Sequence, residues 1–140
     1  MKVSELMTKN PATAMPNSGL QEVAQMMRDC DCGAIPVVEN DKVVGVITDR
    51  DITIRVVAEN KNLQDVKVRD VMSKQVYTAK ESDDVRDVAN QMEKHKVRRV
   101  PVVDDQGKCV GIVSQADIAL NTTDRTTADL VQKVSEPGKK

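Results

Sequence analysis

The chain has 140 residues, 31% of them charged, with 21 basic and 22 acidic side chains that leave a formal net charge of −1 at pH 7. That balance gives no electrostatic basis for sequence-independent nucleic-acid binding or for attraction to an anionic membrane. Tyr77 is the sole aromatic of the Phe, Trp and Tyr class, against single-stranded nucleic-acid recognition by stacking, and no apolar run approaches the roughly 18–20 residues of a membrane span or the core of a signal peptide.

A soluble, cytoplasmic protein is therefore expected. Its three cysteines, Cys30, Cys32 and Cys109, are an odd number that fits free thiols in a reducing compartment better than a disulfide framework.

In chain order, an extended segment is expected to end near Thr13, and a helix to begin after Asn17 and Ser18, both good N-cap residues. Leu20, Val23, Ala24 and Met27 fall at i, i+3, i+4 and i+7 and make one apolar stripe. Ile35–Val38 and Val43–Ile47 are β-rich runs joined by Glu39–Lys42, the pattern of a hairpin. A second helix starts near Asp49, and a polar connector runs from about Ala58 to Lys67.

The same order then repeats. Displaced by 65 residues, Val3–Met7 meets Val68–Met72, Thr13 and Ala14 meet Thr78 and Ala79, and Val23, Ala24 and Met27 meet Val88, Ala89 and Met92. Pro36–Val38 returns as Pro101–Val103. One extra residue near Gly107 makes the displacement 66, so that Gly45 meets Gly111 and Asp51 and Ile52 meet Asp117 and Ile118. The second helix stripe is Val85, Val88, Ala89 and Met92, beginning after Ser82 and Asp83. Its hairpin runs from Val100–Val103 to Cys109–Val113 around Asp104–Lys108, and a last helix starts near Gln115. The divisions are a first repeat over 1–57, a connector over 58–67, a second repeat over 68–120 and a C-terminal region over 121–140. In that last region Thr126–Ser135 is expected to form a short helix with Leu130, Val131 and Val134 on one side, ahead of a frayed tail.

A hairpin entered through Ile/Val-Pro-Val-Val and left through Gly-aliphatic-aliphatic-Thr/Ser-x-x-Asp-aliphatic, present twice, resembles a pair of cystathionine-β-synthase (CBS) domains. The matching octapeptides are Gly45–Ile52 and Gly111–Ile118, and the likeness runs from about Val3 to Leu120. The resemblance implies an α/β (α+β) fold of two β-α-β-β-α repeats packed about a pseudo-two-fold axis, each with a small sheet flanked by two helices. It also implies a Bateman module, a regulatory sensor with clefts between the repeats that bind AMP, ADP, ATP, S-adenosylmethionine or a dinucleotide such as NAD(H). Pairs of this kind often dimerise through their helices into a disc, so a homodimer and an effector protein are the expected partners.

The step from Thr48 to Asp51, and from Ser114 to Asp117, lies where a strand gives way to a helix and exposes backbone N–H groups. A carboxylate there can accept bonds from both ribose hydroxyls, while the hydroxyl side chain reaches a phosphate or ribose oxygen. The competing reading makes Thr48 and Ser114 helix caps and the two Asp residues first-turn acids favoured by the helix dipole; both readings can hold together.

Arg98 and Arg99 stand three and two residues before Pro101, where the family often carries groups that meet phosphates, and guanidinium forks suit phosphates. The first repeat has Gly33 and Ala34 there, so asymmetric pockets are expected, with Arg98 or Arg99 serving a nucleotide whose ribose Asp51 holds. A solvated basic stretch is the plainer reading. Arg50 and Arg55 are further basic candidates. Ile35, Val46, Val100 and Ile112 are candidates for the adenine slot, against an ordinary core role, and Thr13 and Thr78 resemble cleft-lining positions. Tyr77 is placed to stack on a base or, more simply, to pack.

Catalysis is not expected, because the single histidine, His95, has no nucleophile set beside it and no C-x-x-C occurs. No catalytic cofactor and no metal are expected either; Cys30 and Cys32 offer two thiolates, but the spacing does not bring His95 or Cys109 to them. The alternative function is a protein–protein interaction module without ligand, using the apolar faces of Val56 and Val57 or of Leu130, Val131 and Val134.

Overall fold

The computed structural model describes residues 1–74 and 76–121. By contacts the chain forms two compact units. Among the described residues, the first holds Pro11–Val76 with Gly107–Cys109; the second holds Met1–Asn10, Tyr77–Gln106 and Val110–Asn121. These units and the sequence repeats are cut differently: residues 1–10 open the first repeat but are built into the unit that carries the second.

In the first unit, α1 (Leu20–Cys30) buries Leu20, Val23 and Met27. After it, β2 (Ala34–Glu39) and β3 (Lys42–Thr48) pair antiparallel, from Ala34 opposite Thr48 to Glu39 opposite Lys42. Asn40 and Asp41 turn the hairpin with φ of 53° and 66°, the doubly left-handed geometry that matches the twist of two antiparallel strands. Flanking this pair are two single bridges, Ala14 parallel to Val37 and Ser73 antiparallel to Val46. Helix α2 (Asp49–Ile52) continues as a π-helical turn over Thr53–Val57, and α3 (Val68–Val71) closes the unit. Ala14, Ile35, Val37, Ile47, Val56, Val66, Val68, Val71 and Met72 complete its core.

The second unit repeats that plan with longer outer strands. Its sheet runs β1 (Thr8–Lys9), β6 (Cys109–Ser114), β5 (Arg99–Val103), β4 (Ala79–Lys80). Thr8 and Lys9 sit opposite Ile112 and Gly111, and Ala79 and Lys80 run parallel to Val102 and Val103. Under the displacement of 65 or 66, Thr8 opposite Ile112 is the counterpart of Ser73 opposite Val46. Each hairpin thus receives, on its second strand, the leading segment of the other repeat. Helices α4 (Val85–His95) and α5 (Gln115–Asn121) pack on one another, and Val3, Val85, Val88, Ala89, Met92, Val100, Val102, Val113 and Ile118 form the core.

Several expectations are corrected at this level. Ser18 does not cap α1: its Oγ accepts the Met15 N–H at 3.0 Å, and the N-cap is Gly19. The second long helix is capped by Asp84, whose side chain accepts the Arg86 N–H at 2.8 Å, one residue later than the Ser82–Asp83 start. Ala24 is exposed although its counterpart Ala89 is buried; α5 runs on as a regular helix against α4, whereas the helix facing α1 widens into a π turn after Ile52. Cys30 and Cys32, expected as free thiols, are joined in a disulfide with Cα atoms 5.3 Å apart. Asp31, in the left-handed conformation at φ 52°, folds the chain back at the end of α1 and turns the two side chains towards each other. The expected C-terminal helix over Thr126–Ser135 lies outside the described residues. Among the described residues no helix is long and apolar enough to cross a membrane.

Candidate functional site

The two Thr/Ser-x-x-Asp steps fold into the same corner, once in each unit. In the first unit Thr48 ends β3, and its N–H donates to Asp51 Oδ2 at 3.0 Å while its Oγ1 accepts the Asp51 N–H at 3.1 Å. In the second, the Ser114 N–H donates to Asp117 Oδ2 at 2.9 Å and Ser114 Oγ accepts the Asp117 N–H at 3.0 Å. These reciprocal bonds are a capping box, with Asp in place of the usual Glu or Gln. The capping reading is thus realised. It occupies one oxygen of each carboxylate, and among the described residues Oδ1 of Asp51 and of Asp117 meets no donor. Both Asp residues are half-buried, so each corner presents a fixed, partly sheltered acceptor.

A backbone bond ties each corner to the residues leading into its hairpin. The Asp49 N–H donates to the Gly33 carbonyl at 3.0 Å, and the Gln115 N–H donates to the Arg98 carbonyl at 2.7 Å. Gly33 and Arg98 occupy the same repeat position, which sequence reading reserved for side chains that meet phosphate. Their carbonyls brace the corner in both units, and only the second unit adds cations. Arg98 and Arg99 are exposed, and neither guanidinium has an ion-pair or hydrogen-bond partner among the described residues. Arg50 is also exposed, its backbone N–H bonded to Asp49 Oδ1 at 2.8 Å.

Other candidates are placed as follows. Ile35 and Val100 are fully buried in the two cores, whereas Val46 and Ile112 are half-buried on the second hairpin strands. Thr13 and Thr78 are half-buried, each just ahead of the residue that bridges to a hairpin, Ala14 and Ala79. Arg55 is taken up structurally: its Nη1 donates to the Val71 carbonyl at 2.6 Å and to the Met72 carbonyl at 3.4 Å, satisfying the C-terminal end of α3. Tyr77 stacks on His95, ring centroids 4.8 Å apart, and packs on the core of the second unit. Burial, and then the charges of Asp83 and Asp87, raise its pKa above the usual 10.0.

Gln115 was not singled out from the sequence. Its Oε1 is buried without a hydrogen-bond partner, beside the Ser114–Asp117 corner. The available signal was the repeat itself, which puts Gln115 where the first copy has the exposed Asp49. Among the described residues no cluster of three or more His, Cys, Asp or Glu side chains is arranged to hold a metal ion.

Comparison with known proteins identifies the repeat. The family model of the CBS domain matches residues 3–58 and 68–121. The chain is 38% identical over 126 residues to the CBS domain-containing protein YhcV of Bacillus subtilis, covering 90% of this chain and 89% of that one. It spans 61% of the length of a Methanopyrus kandleri protein, MK0525, to which it is also 38% identical. Among solved structures, the CBS domain pair of protein MJ0100 in complex with 5′-methylthioadenosine and S-adenosyl-L-methionine superposes with a TM-score of 0.77 at 35% identity, over 86% of this chain and 94% of that one. The structure of CBSX2 in complex with AMP gives a TM-score of 0.73 at 25% identity, over 85% and 93% of the two chains.

Proposed function

This chain belongs to the CBS domain family, and from that premise we propose that it is a regulatory module that binds an adenosine-containing ligand through its two Thr/Ser-x-x-Asp corners. The observation that carries this reading is the duplicated carboxylate, held by one oxygen in a capping box and presenting the other. A cap needs only the first oxygen; a ribose takes the second. Asp51 and Asp117 clamp the ribose hydroxyls, Thr48 and Ser114 fix the carboxylates, and Arg98 and Arg99 meet the phosphates, with Arg50 as a further cation. Val46 and Ile112 offer apolar surface to the base, next to the deeper Ile35 and Val100, and Thr13 and Thr78 flank it. The relatives whose structures hold AMP, 5′-methylthioadenosine and S-adenosyl-L-methionine support the adenosyl class.

The module carries out no chemistry on its ligand. Binding acts on a partner protein by favouring one of two arrangements of the module, which requires different affinities for the two. The chain works as a homodimer in the cytoplasm. Val57 and Leu120, 67% and 84% exposed, supply apolar surface for association, whereas Val56, grouped with Val57 in the sequence reading, is core.

Calorimetric titration with AMP, ADP, ATP, NADH and S-adenosylmethionine tests the reading. Asp51→Asn and Asp117→Asn keep an acceptor for the cap but remove the charge, so each should leave the fold intact and weaken one class of site by about tenfold or more. The 2′-deoxy ligands should bind more weakly than the ribonucleotides by a similar factor. Flat traces for all five ligands, from protein shown to be ligand-free, would replace this reading with a ligandless interaction module.

A further inference from the structure

The helix ends of the two repeats differ in one covalent feature. After α1, Asp31 takes the left-handed conformation, its N–H reaches the Arg28 carbonyl at 3.4 Å, and the Cys32 N–H donates to the Met27 carbonyl at 3.1 Å. After α4, Lys96 takes the same conformation at φ 57°, and the Val97 N–H donates to the Met92 carbonyl at 3.1 Å. The second cap forms without any disulfide. The Cys30–Cys32 bond is therefore laid over a turn that the backbone makes unaided, and a loop closed across a sequence separation of 2 restrains the unfolded chain very little. As a staple it has little to hold.

What lies beside it is the corner of the first unit. Cys32 is half-buried against the same core cluster as Ile52, the residue after Asp51. The next residue, Gly33, accepts the Asp49 N–H, and Ala34 pairs with Thr48. Cys30, by contrast, is exposed and open to attack. We propose that Cys30 and Cys32 form a reversible dithiol–disulfide site, exchanging with a low-molecular-weight thiol–disulfide couple while the turn and the Thr48–Asp51 corner keep their backbone bonds.

The exchange balances without any further reactant. A small thiolate attacks Cys30 Sγ, and Cys32 leaves as the thiolate and takes a proton; a second small thiolate then attacks the small-thiol sulfur of the mixed disulfide, and Cys30 leaves as the thiolate and takes a proton. Two protein thiols form, and two small thiols give up two electrons to the protein disulfide and become one small disulfide. In the reverse direction the small disulfide is reduced and the protein ring closes. The inference extends beyond nucleotide binding and is tested without a nucleotide.

The test is equilibration of the full-length chain across a graded series of reduced and oxidised glutathione, followed by alkylation and tryptic mapping. The peptide Asp29–Lys42 carries both cysteines and leaves Cys109 in another fragment. It should pass reversibly between doubly alkylated and unalkylated forms, while the thermal midpoint stays the same. Amide exchange at Asp49 should change by less than about threefold between the oxidised and reduced protein, and Cys30→Ser should fold and show the same rate. The proposal is overturned by double alkylation at every ratio, by no alkylation at any ratio, by a stable glutathione adduct on one sulfur, or by unfolding on reduction or in Cys30→Ser.

Discussion

At Asp51 and Asp117 one carboxylate oxygen closes the first turn of a helix, and the hydroxyl three residues earlier completes the loop of bonds. Thr48→Ala and Ser114→Ala remove one bond of each box, and each should lower the unfolding free energy by about 1 kcal/mol in urea titrations; a loss below about 0.3 kcal/mol would mean that the box contributes little in solution. Tyr77 offers a cleaner residue-level reading because it is the only phenol and no Trp is present. Its pKa is raised, chiefly by burial, so the native state holds the phenolic proton more tightly than the unfolded chain does. The resulting contribution to stability is intact below pH 10 and is lost as the pH climbs through the folded value. Absorbance at 295 nm should titrate with a midpoint above 10, moving back to about 10 in denaturant, and identical midpoints in the two states would contradict the buried placement. The phosphate candidates Arg98 and Arg99 were legible because they interrupt the internal repeat. Gln115 was not, since nothing in a glutamine codon position reveals which of its atoms is buried.

At the scale of elements, the glycines of the two octapeptides acquire a reason the motif does not state. A Cβ on Gly45 would lie 2.7 Å from Met72 Sδ and 2.9 Å from the Ser73 carbonyl oxygen; on Gly111 it would lie 2.5 Å from Met7 Sδ and 3.0 Å from the Thr8 oxygen. In both units the glycine clears room for the leading segment of the other repeat, whose backbone cannot step aside as a side chain can. Gly45→Ala and Gly111→Ala should each cost about 1–3 kcal/mol by chemical denaturation, and pairing Gly111→Ala with Met7→Ala should recover only part of it, because the Thr8 oxygen remains. Full recovery would show that the methionine alone sets the requirement. Arg55 belongs to the same scale. Its bonds to the carbonyls of Val71 and Met72 fasten the π-helical turn to the end of α3, and Arg55→Met should cost about 1–3 kcal/mol while leaving ligand affinity near its original value. A large affinity loss with unchanged stability would return Arg55 to the binding residues.

Over the whole molecule, the consequence of the exchanged segments is that the first ten residues matter to the unit formed by the second repeat. They supply Val3 to its core and β1 to the edge of its sheet. Removing Met1–Asn10 uncovers the β6 edge at Gly111 and Ile112 and opens a cavity at Val3. The expected result is faster amide exchange in Val100–Val113, with much smaller change in Ile35–Ile47. Equal loss of protection in both hairpins would instead mean that the units fold as one cooperative block.

The repeat, the order of elements, the hairpins and the two carboxylate corners are legible along the chain, because each rests on local periodicity, turn chemistry or self-comparison. Helix starts were displaced by a residue or two where Ser18 and Asp84 divided the capping roles differently from what composition suggests. The three-dimensional packing sets which hairpin each leading segment joins, since Thr8 and Ser73 have the same local character whichever one they join. It also decided that Arg55 is a clamp and that Val56 and Val57 face opposite ways. The Cys30–Cys32 ring depends on the left-handed turn at Asp31, a backbone choice made by the end of α1 and not by the cysteines. Facts of these kinds depend on what lies across space from a residue, and a linear pattern holds only what lies beside it along the chain.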